Sequence, residues 1–173
     1  PFAMTDEQCL NFGVPPYLYA GVVYTSIGMV SNGYAVVGGC SGSADIDFIN
    51  QVLPDATPPN NVLAPFWTDL NPAAGGNYYA ATISDGLNSW IVLEWEDAPN
   101  WGDGELNTFQ IWIGYDGYEE INFTYGATLS DGDASFLTVG AEDSTGLSGQ
   151  NYYVDGTGTL PTFGVDVGVT SIP

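Results

Sequence analysis

Two glutamates and two tryptophans hold the spacing most suggestive of chemistry in this chain. Glu94 and Glu96 stand two residues apart in the run Trp90-Ile91-Val92-Leu93-Glu94-Trp95-Glu96. Alternate residues of an extended strand share a face, which sets the two carboxylates roughly 6–7 Å apart. Paired carboxylates beside aromatic rings are how jelly-roll glycoside hydrolases divide acid from base or nucleophile. The spacing alone has low specificity, because any exposed strand of an acidic protein shows it. Catalytic carboxylates also come more often from separate strands across a cleft. The same residues can bind without reacting. Trp90 and Trp112, with Gln110 beside them, are rigid aromatic platforms suited to sugar rings or an extended peptide. The plainer alternative is a packing face covered by a loop or by another domain.

Calcium is the one cofactor the acidic residues suggest. Asp45 with Asp47, Asp131 with Asp133, Glu142 with Asp143, and Asp103 with Glu105 place carboxylates close together in predicted loops. Calcium takes six to eight oxygen ligands, which such loops supply. None of the four fits the EF-hand pattern, and a solvated acidic turn is the simpler reading at any one of them. Asn122-Phe123-Thr124 has the form of a glycosylation sequon.

The charge balance excludes a good deal. Asp and Glu number 21 against no Lys, Arg or His, a formal net charge of −21. Without histidine there is no Ser-His-Asp or Cys-His arrangement and no imidazole metal ligand. Without lysine there is no Schiff base and no Lys-Asn isopeptide crosslink. With no basic residue, neutralisation of phosphate fails, which removes nucleic acid and anionic membrane as partners. Such a surface is soluble and resists trypsin-like proteases; divalent-cation binding and tolerance of high salt are the sharper readings.

The elements that must position these residues are strands. Hydrophobic residues make up 45% of 173, with 23 glycines and 11 prolines, a composition of short elements joined by tight turns around one core. Ile27–Val30 and Tyr34–Val37 flank Asn32-Gly33. Tyr78–Ile83 and Ser89–Trp95 bracket Asp85-Gly86, and Thr108–Tyr115 and Glu119–Tyr125 bracket Asp116-Gly117. Val62–Leu70, Ser135–Ala141, Tyr152–Val154 and Phe163–Val169 complete the set, with a short helical turn expected within Ser43–Leu53. About eight to ten strands at this spacing predict a single all-β domain, an antiparallel β-sandwich of jelly-roll type. Ile91, Leu93 and Trp95, then Phe109, Ile111 and Ile113, then Ile121, Phe123 and Tyr125, form three apolar faces that must meet the core. If their strands are neighbours, the opposite faces gather Trp90, Glu94, Glu96, Gln110, Trp112, Asn122 and Thr124 into one patch.

Two cysteines, Cys9 and Cys40, are expected to pair in a chain of extracellular character. Closing a loop of roughly 30 residues would contribute on the order of 3 kcal/mol. No apolar run of transmembrane length and no signal peptide occur, and a chain opening at Pro1 is expected to be a mature fragment or an excised domain.

Several runs carry a family resemblance. They are Val30-Ser31-Asn32-Gly33-Tyr34, Pro59-Asn60-Asn61-Val62-Leu63-Ala64-Pro65-Phe66-Trp67-Thr68-Asp69-Leu70, Trp90–Trp95, Phe109–Ile113 and Gly149-Gln150-Asn151-Tyr152-Tyr153-Val154-Asp155-Gly156. Over residues 20–170 the chain resembles an accessory domain found toward the C-terminus of secreted bacterial subtilisin-like (S8 family) serine peptidases, nidogen-like in pattern. That resemblance implies a β-sandwich, a secreted location and no catalytic residues, since the protease triad of such proteins sits in a separate domain. The expected role is a non-catalytic extracellular module that engages an extracellular protein or polysaccharide, or packs on other domains of its chain. The alternatives are a self-assembling subunit of a filament or surface layer, and a glycan hydrolase using Glu94 and Glu96.

Overall fold

Two antiparallel sheets pack face to face in the computed structural model, which describes residues 1–170. The strands are β1 (Cys9–Tyr19), β2 (Val22–Val30), β3 (Tyr34–Val37), β4 (Val62–Trp67), β5 (Asn77–Ser84), β6 (Ser89–Pro99), β7 (Leu106–Tyr115), β8 (Ile121–Tyr125), β9 (Thr138–Glu142), β10 (Gly149–Val154), β11 (Thr157–Gly158) and β12 (Val167–Val169). One sheet runs β1-β2-β3-β4-β9-β10-β11 and the other β12-β8-β7-β6-β5. The predicted all-β sandwich is the observed architecture.

The strand count exceeds the expected eight to ten. The added length is mostly β1, whose Pro15-Pro16 pair argues against a strand. The structure accommodates both prolines at a register shift between Gly13 and Tyr17, where the ladder against β2 is interrupted. The other unforeseen strand, β11, is two residues long. Among the described residues, helix is confined to two 3₁₀ turns, Ser43–Asp45 and Pro72–Ala74. The short helical turn expected within Ser43–Leu53 is present as the single turn Ser43–Asp45, and the Asp45 carboxylate caps its start by accepting from Ser41 N at 2.6 Å and Gly42 N at 3.2 Å.

The core between the sheets is aromatic. Phe66 of β4 stacks on Phe109 of β7 with centroids 5.1 Å apart, and Trp95 of β6 stacks on the same ring at 5.1 Å. Two polar tips cross the sandwich and fix how the sheets sit. Trp95 Nε1–H donates to Val30 O at 3.1 Å, and Tyr125 O–H donates to Pro65 O at 2.9 Å. Both acceptors end up satisfied within the core, as buried carbonyls must be. Gly33, in the β2–β3 turn, has φ +79° and lies so close to Phe66 O that a Cβ would collide with it. Only glycine satisfies both constraints there.

A second, smaller cluster lies on the outer side of the seven-stranded sheet. Val30, Tyr34, Val36, Val62, Ala64 and Trp67 are covered by Leu53 and Ile46 of the loop between β3 and β4. Cys9 and Cys40 are bonded, with Cα atoms 6.5 Å apart and a sequence separation of 31, and they pack against this cluster. The disulfide thus fixes the first turn of the covering loop to β1.

Candidate functional site

Among the described residues, the outer face of the five-stranded sheet has no such cover: Trp90, Glu94, Gln110, Trp112 and Thr124 stay partly exposed. Strands β6, β7 and β8 are neighbours, with Glu94 opposite Gln110 and Gln110 opposite Thr124. In the next rung, Val92 lies opposite Trp112 and Trp112 opposite Asn122. The three apolar sets assigned from the sequence face inward, every member buried. The predicted patch therefore exists as one surface.

Its side chains are bonded to one another. Gln110 stands at the centre: Nε2 donates to Glu94 Oε1 at 2.7 Å, and Oε1 accepts from Trp112 Nε1–H at 2.6 Å and Thr124 O–H at 3.2 Å. Such a network fixes the amide's orientation, because each end meets only its complement. Glu96 is held separately: its Oε2 accepts from Asn77 Nδ2 at 3.0 Å and from the Tyr79 hydroxyl at 3.1 Å. Partial desolvation, followed by the hydrogen bond to Glu96, raises the pKa of Tyr79, keeping its proton on the phenol as the donor.

Three rings line the far end of this face. Trp90 meets Trp112 at 5.9 Å with planes 74° apart, and meets Tyr118 at 5.6 Å with planes 78° apart. Tyr118 was not foreseen. It follows the Asp116-Gly117 turn, where alternation stops reporting which side a residue takes. Its hydroxyl donates to Glu120 Oε2 at 2.8 Å. Asn77 and Tyr79, also unforeseen, join because β5 pairs with β6 in register from Asn77↔Glu96 to Ser84↔Ser89.

The four predicted acidic pairs fall in loops or at strand ends and cap turns. Asp45 Oδ2 also accepts from the Ser41 hydroxyl at 2.9 Å, and Asp47 Oδ1 accepts from Ile49 N at 2.9 Å. Asp131 Oδ2 takes the Ser135 hydroxyl at 2.9 Å, while Asp133 Oδ1 takes Gly102 N at 2.6 Å. Asp103 Oδ1 accepts from Glu105 N at 2.9 Å and Asn100 Nδ2 at 3.1 Å. Asp143 Oδ1 accepts from Thr145 N at 3.1 Å and its hydroxyl at 2.8 Å, and hydrogen bonds of this kind hold its pKa down against partial desolvation. Glu142 differs. Only 1% exposed, it accepts Asp55 N at 2.8 Å through Oε2, while its Oε1 has no partner. Burial, with Asp55 and Asp143 nearby, pushes its pKa up to about 7.

Among the described residues, carboxylate oxygens converge in one group of three, at Asp6, Glu7 and Asp69, within 4.8 Å of one another. Asp6 Oδ1 there is closed off from solvent and accepts no hydrogen bond. Burial and the charges of Asp133, Glu7 and Asp6 raise the Asp69 pKa to about 6. Oxygen sets of this sort suit a hard cation. No spacing signal could have found this group, because Asp69 joins it from the far end of β4 through the fold alone.

Among the described residues no helix is long and apolar enough to cross a membrane. No curated protein and no solved structure matches the chain. A family model described as NIDO related matches residues 4–172. This is an extracellular-type module, in keeping with the Cys9–Cys40 disulfide. The match takes in nearly all of the sequence, and the chain belongs to the NIDO-related family.

Proposed function

We propose that this domain is a non-catalytic accessory module that engages an extracellular polymer through the Trp90/Trp112 face, as part of a larger secreted polypeptide. The parent we favour is a secreted bacterial peptidase of the subtilisin-like S8 type, on the resemblance carried by the Ala64-Pro65-Phe66-Trp67 run and its companions. One observation carries the binding role: an uncovered sheet face whose polar groups are already bonded to each other and whose rings are held at one end. A pre-organised face loses little side-chain entropy when a ligand arrives.

The same geometry argues against hydrolysis by Glu94 and Glu96. Both lie on one strand of an open face, and each is tied to amide or hydroxyl donors of its own sheet. Glycosidase carboxylates instead flank the scissile bond from either side. The test is incubation with insoluble collagen, chitin and cellulose, measuring loss from solution and released product together. Depletion without product, reduced in Trp112→Ala, is the expected outcome. Product release that disappears in Glu94→Gln would replace this proposal with the hydrolase.

A further inference from the structure

We propose that the Trp90/Trp112/Tyr118 face takes an extended cationic polypeptide, one presenting Lys or Arg side chains, in preference to a neutral polymer. This rests on the reading that the face engages a polymer, and names which kind.

Charge is the first argument. Glu94 and Glu96 lie on the face and Glu120 at its rim, each using one carboxylate oxygen for a bond within the domain. Among the described residues, the opposite oxygen of each accepts nothing from the protein. On an ordinary surface a neighbouring lysine or arginine would answer such charges. This chain has none, so a cation must come from outside. Screening limits the attraction to about 8 Å at physiological salt, so these local carboxylates decide where a cation settles.

Ring geometry is the second. Sugar rings stack on flat platforms, whereas Trp90 meets Trp112 and Tyr118 with planes 74° and 78° apart. Rings standing nearly upright to each other make corners, and a cation in a corner is attracted by the electron-rich face of a ring while sitting beside a carboxylate. Spacing is the third. Glu94 and Glu96 recur at the two-residue period of a strand, which matches alternate side chains of an extended peptide.

The test uses the whole chain and two synthetic peptides, one alternating Lys and Ser, the other with Gln replacing every Lys. Affinity and the indole N–H resonances of Trp90 and Trp112 are read together. The Lys peptide should move both resonances and bind less tightly as salt rises. Glu94→Gln/Glu96→Gln should weaken it about tenfold, and so should Trp112→Ala, with Trp112→Phe recovering part of the loss if the alanine variant folds poorly. Asp45→Asn/Asp55→Asn, in the loop over the opposite sheet, removes the same charge and should change affinity less than about twofold. Equal losses in the two double variants would overturn the proposal, since binding would then follow net charge alone. If soluble cellulose or chitin oligomers, or the Gln peptide, moved the resonances and the Lys peptide did not, the cationic ligand would be wrong while polymer engagement stood. If no probe moved them, both readings would fall.

Discussion

The outer face of each sheet carries a tryptophan beside another aromatic ring, and the two pairs are finished differently. On the seven-stranded sheet Trp67 packs on Tyr34 at 4.4 Å, and its indole N–H donates to Asp47 O of the loop above it, at 3.0 Å. On the five-stranded sheet Trp112 packs on Trp90, and its indole N–H turns back to Gln110 of its own strand. The loop is anchored at several further points. Tyr34 O–H donates to Asp45 O and accepts Asp47 N, and Asn151 bonds both Leu53 N and Leu53 O. A tryptophan sealed into a core hands its polar atom to the element that seals it. One kept at a surface hands it to a neighbour on the same surface, leaving the ring free for a partner.

The largest effect that would break this contrast is on stability. Trp67→Ala removes a ring with no exposed area and should cost about 3–5 kcal/mol, while Trp112→Ala should cost less than about 1 kcal/mol. Urea unfolding of both variants reads the difference, and equal costs would mean that the two faces are equally sealed. Next comes the strap over the covered face. Cys9→Ser/Cys40→Ser should cost about 3 kcal/mol through the freed loop of the unfolded chain. Hydrogen exchange should then quicken at Asp47 N and Ile49 N in the covering loop, leaving the Trp112 indole N–H unaffected.

Much of the open face was legible because strand alternation reports which side a residue takes, provided the strands are neighbours. Glu94, Gln110 and Thr124 came together for that reason, joined by two hairpins with Asp-Gly turns or a simple loop. The covered face was not legible in the same way. β4 is buried along its whole length, so Val62–Trp67 shows no alternation to read. The loop that buries its outer side contains Pro54, Pro58 and Pro59, and of its large apolar residues only Ile46 and Leu53 pack beneath it while Phe48, Ile49 and Val52 stay exposed. Part of its hold comes from polar contacts with residues nearly a hundred positions away, such as the two bonds between Leu53 and Asn151. Tyr118 and the Asp6/Glu7/Asp69 group escaped for a related cause: a turn or a long-range approach placed them, and no local period records either.

Glu142 sharpens the comparison through pH. It lies under the covering loop, facing the Asp55 and Asp143 carboxylates, with the Tyr19 hydroxyl bonded to its own backbone carbonyl. Its folded-state pKa of about 7 stands above the ordinary 4.5, so the folded chain holds this proton more tightly than the unfolded chain does. Stability from that proton is fully present below pH 4.5 and is lost as pH rises through about 7, amounting to about 3 kcal/mol. Asp69, raised to about 6 but partly exposed, adds a smaller change of the same sign. Thermal unfolding between pH 4 and pH 8 should show Tm falling, and Glu142→Gln should flatten most of that slope. A slope unchanged by Glu142→Gln would mean that the carboxylate is answered by something other than a proton.

A small effect is expected at Gln110, and its smallness is what the contrast requires. Gln110→Leu deletes three hydrogen bonds at once, to Glu94, Trp112 and Thr124. In a sealed site, orphaning those groups would cost several kcal/mol, because none could reach water. On an open face each turns to solvent, and the net loss should be about 1 kcal/mol. Thr138→Val is the matched change on the covered side. Its hydroxyl is fully buried, donates to Gln51 O at 2.6 Å and accepts from Asn50 Nδ2 at 3.0 Å. Losing two bonds there should cost more than losing three at Gln110, about 2 kcal/mol. Urea unfolding gives both numbers, and the Trp112 indole N–H should move to a water-exposed position in Gln110→Leu. If Gln110→Leu proved the costlier of the two, the Trp90/Trp112 face would be behaving as an interior, and its rings would be serving the fold.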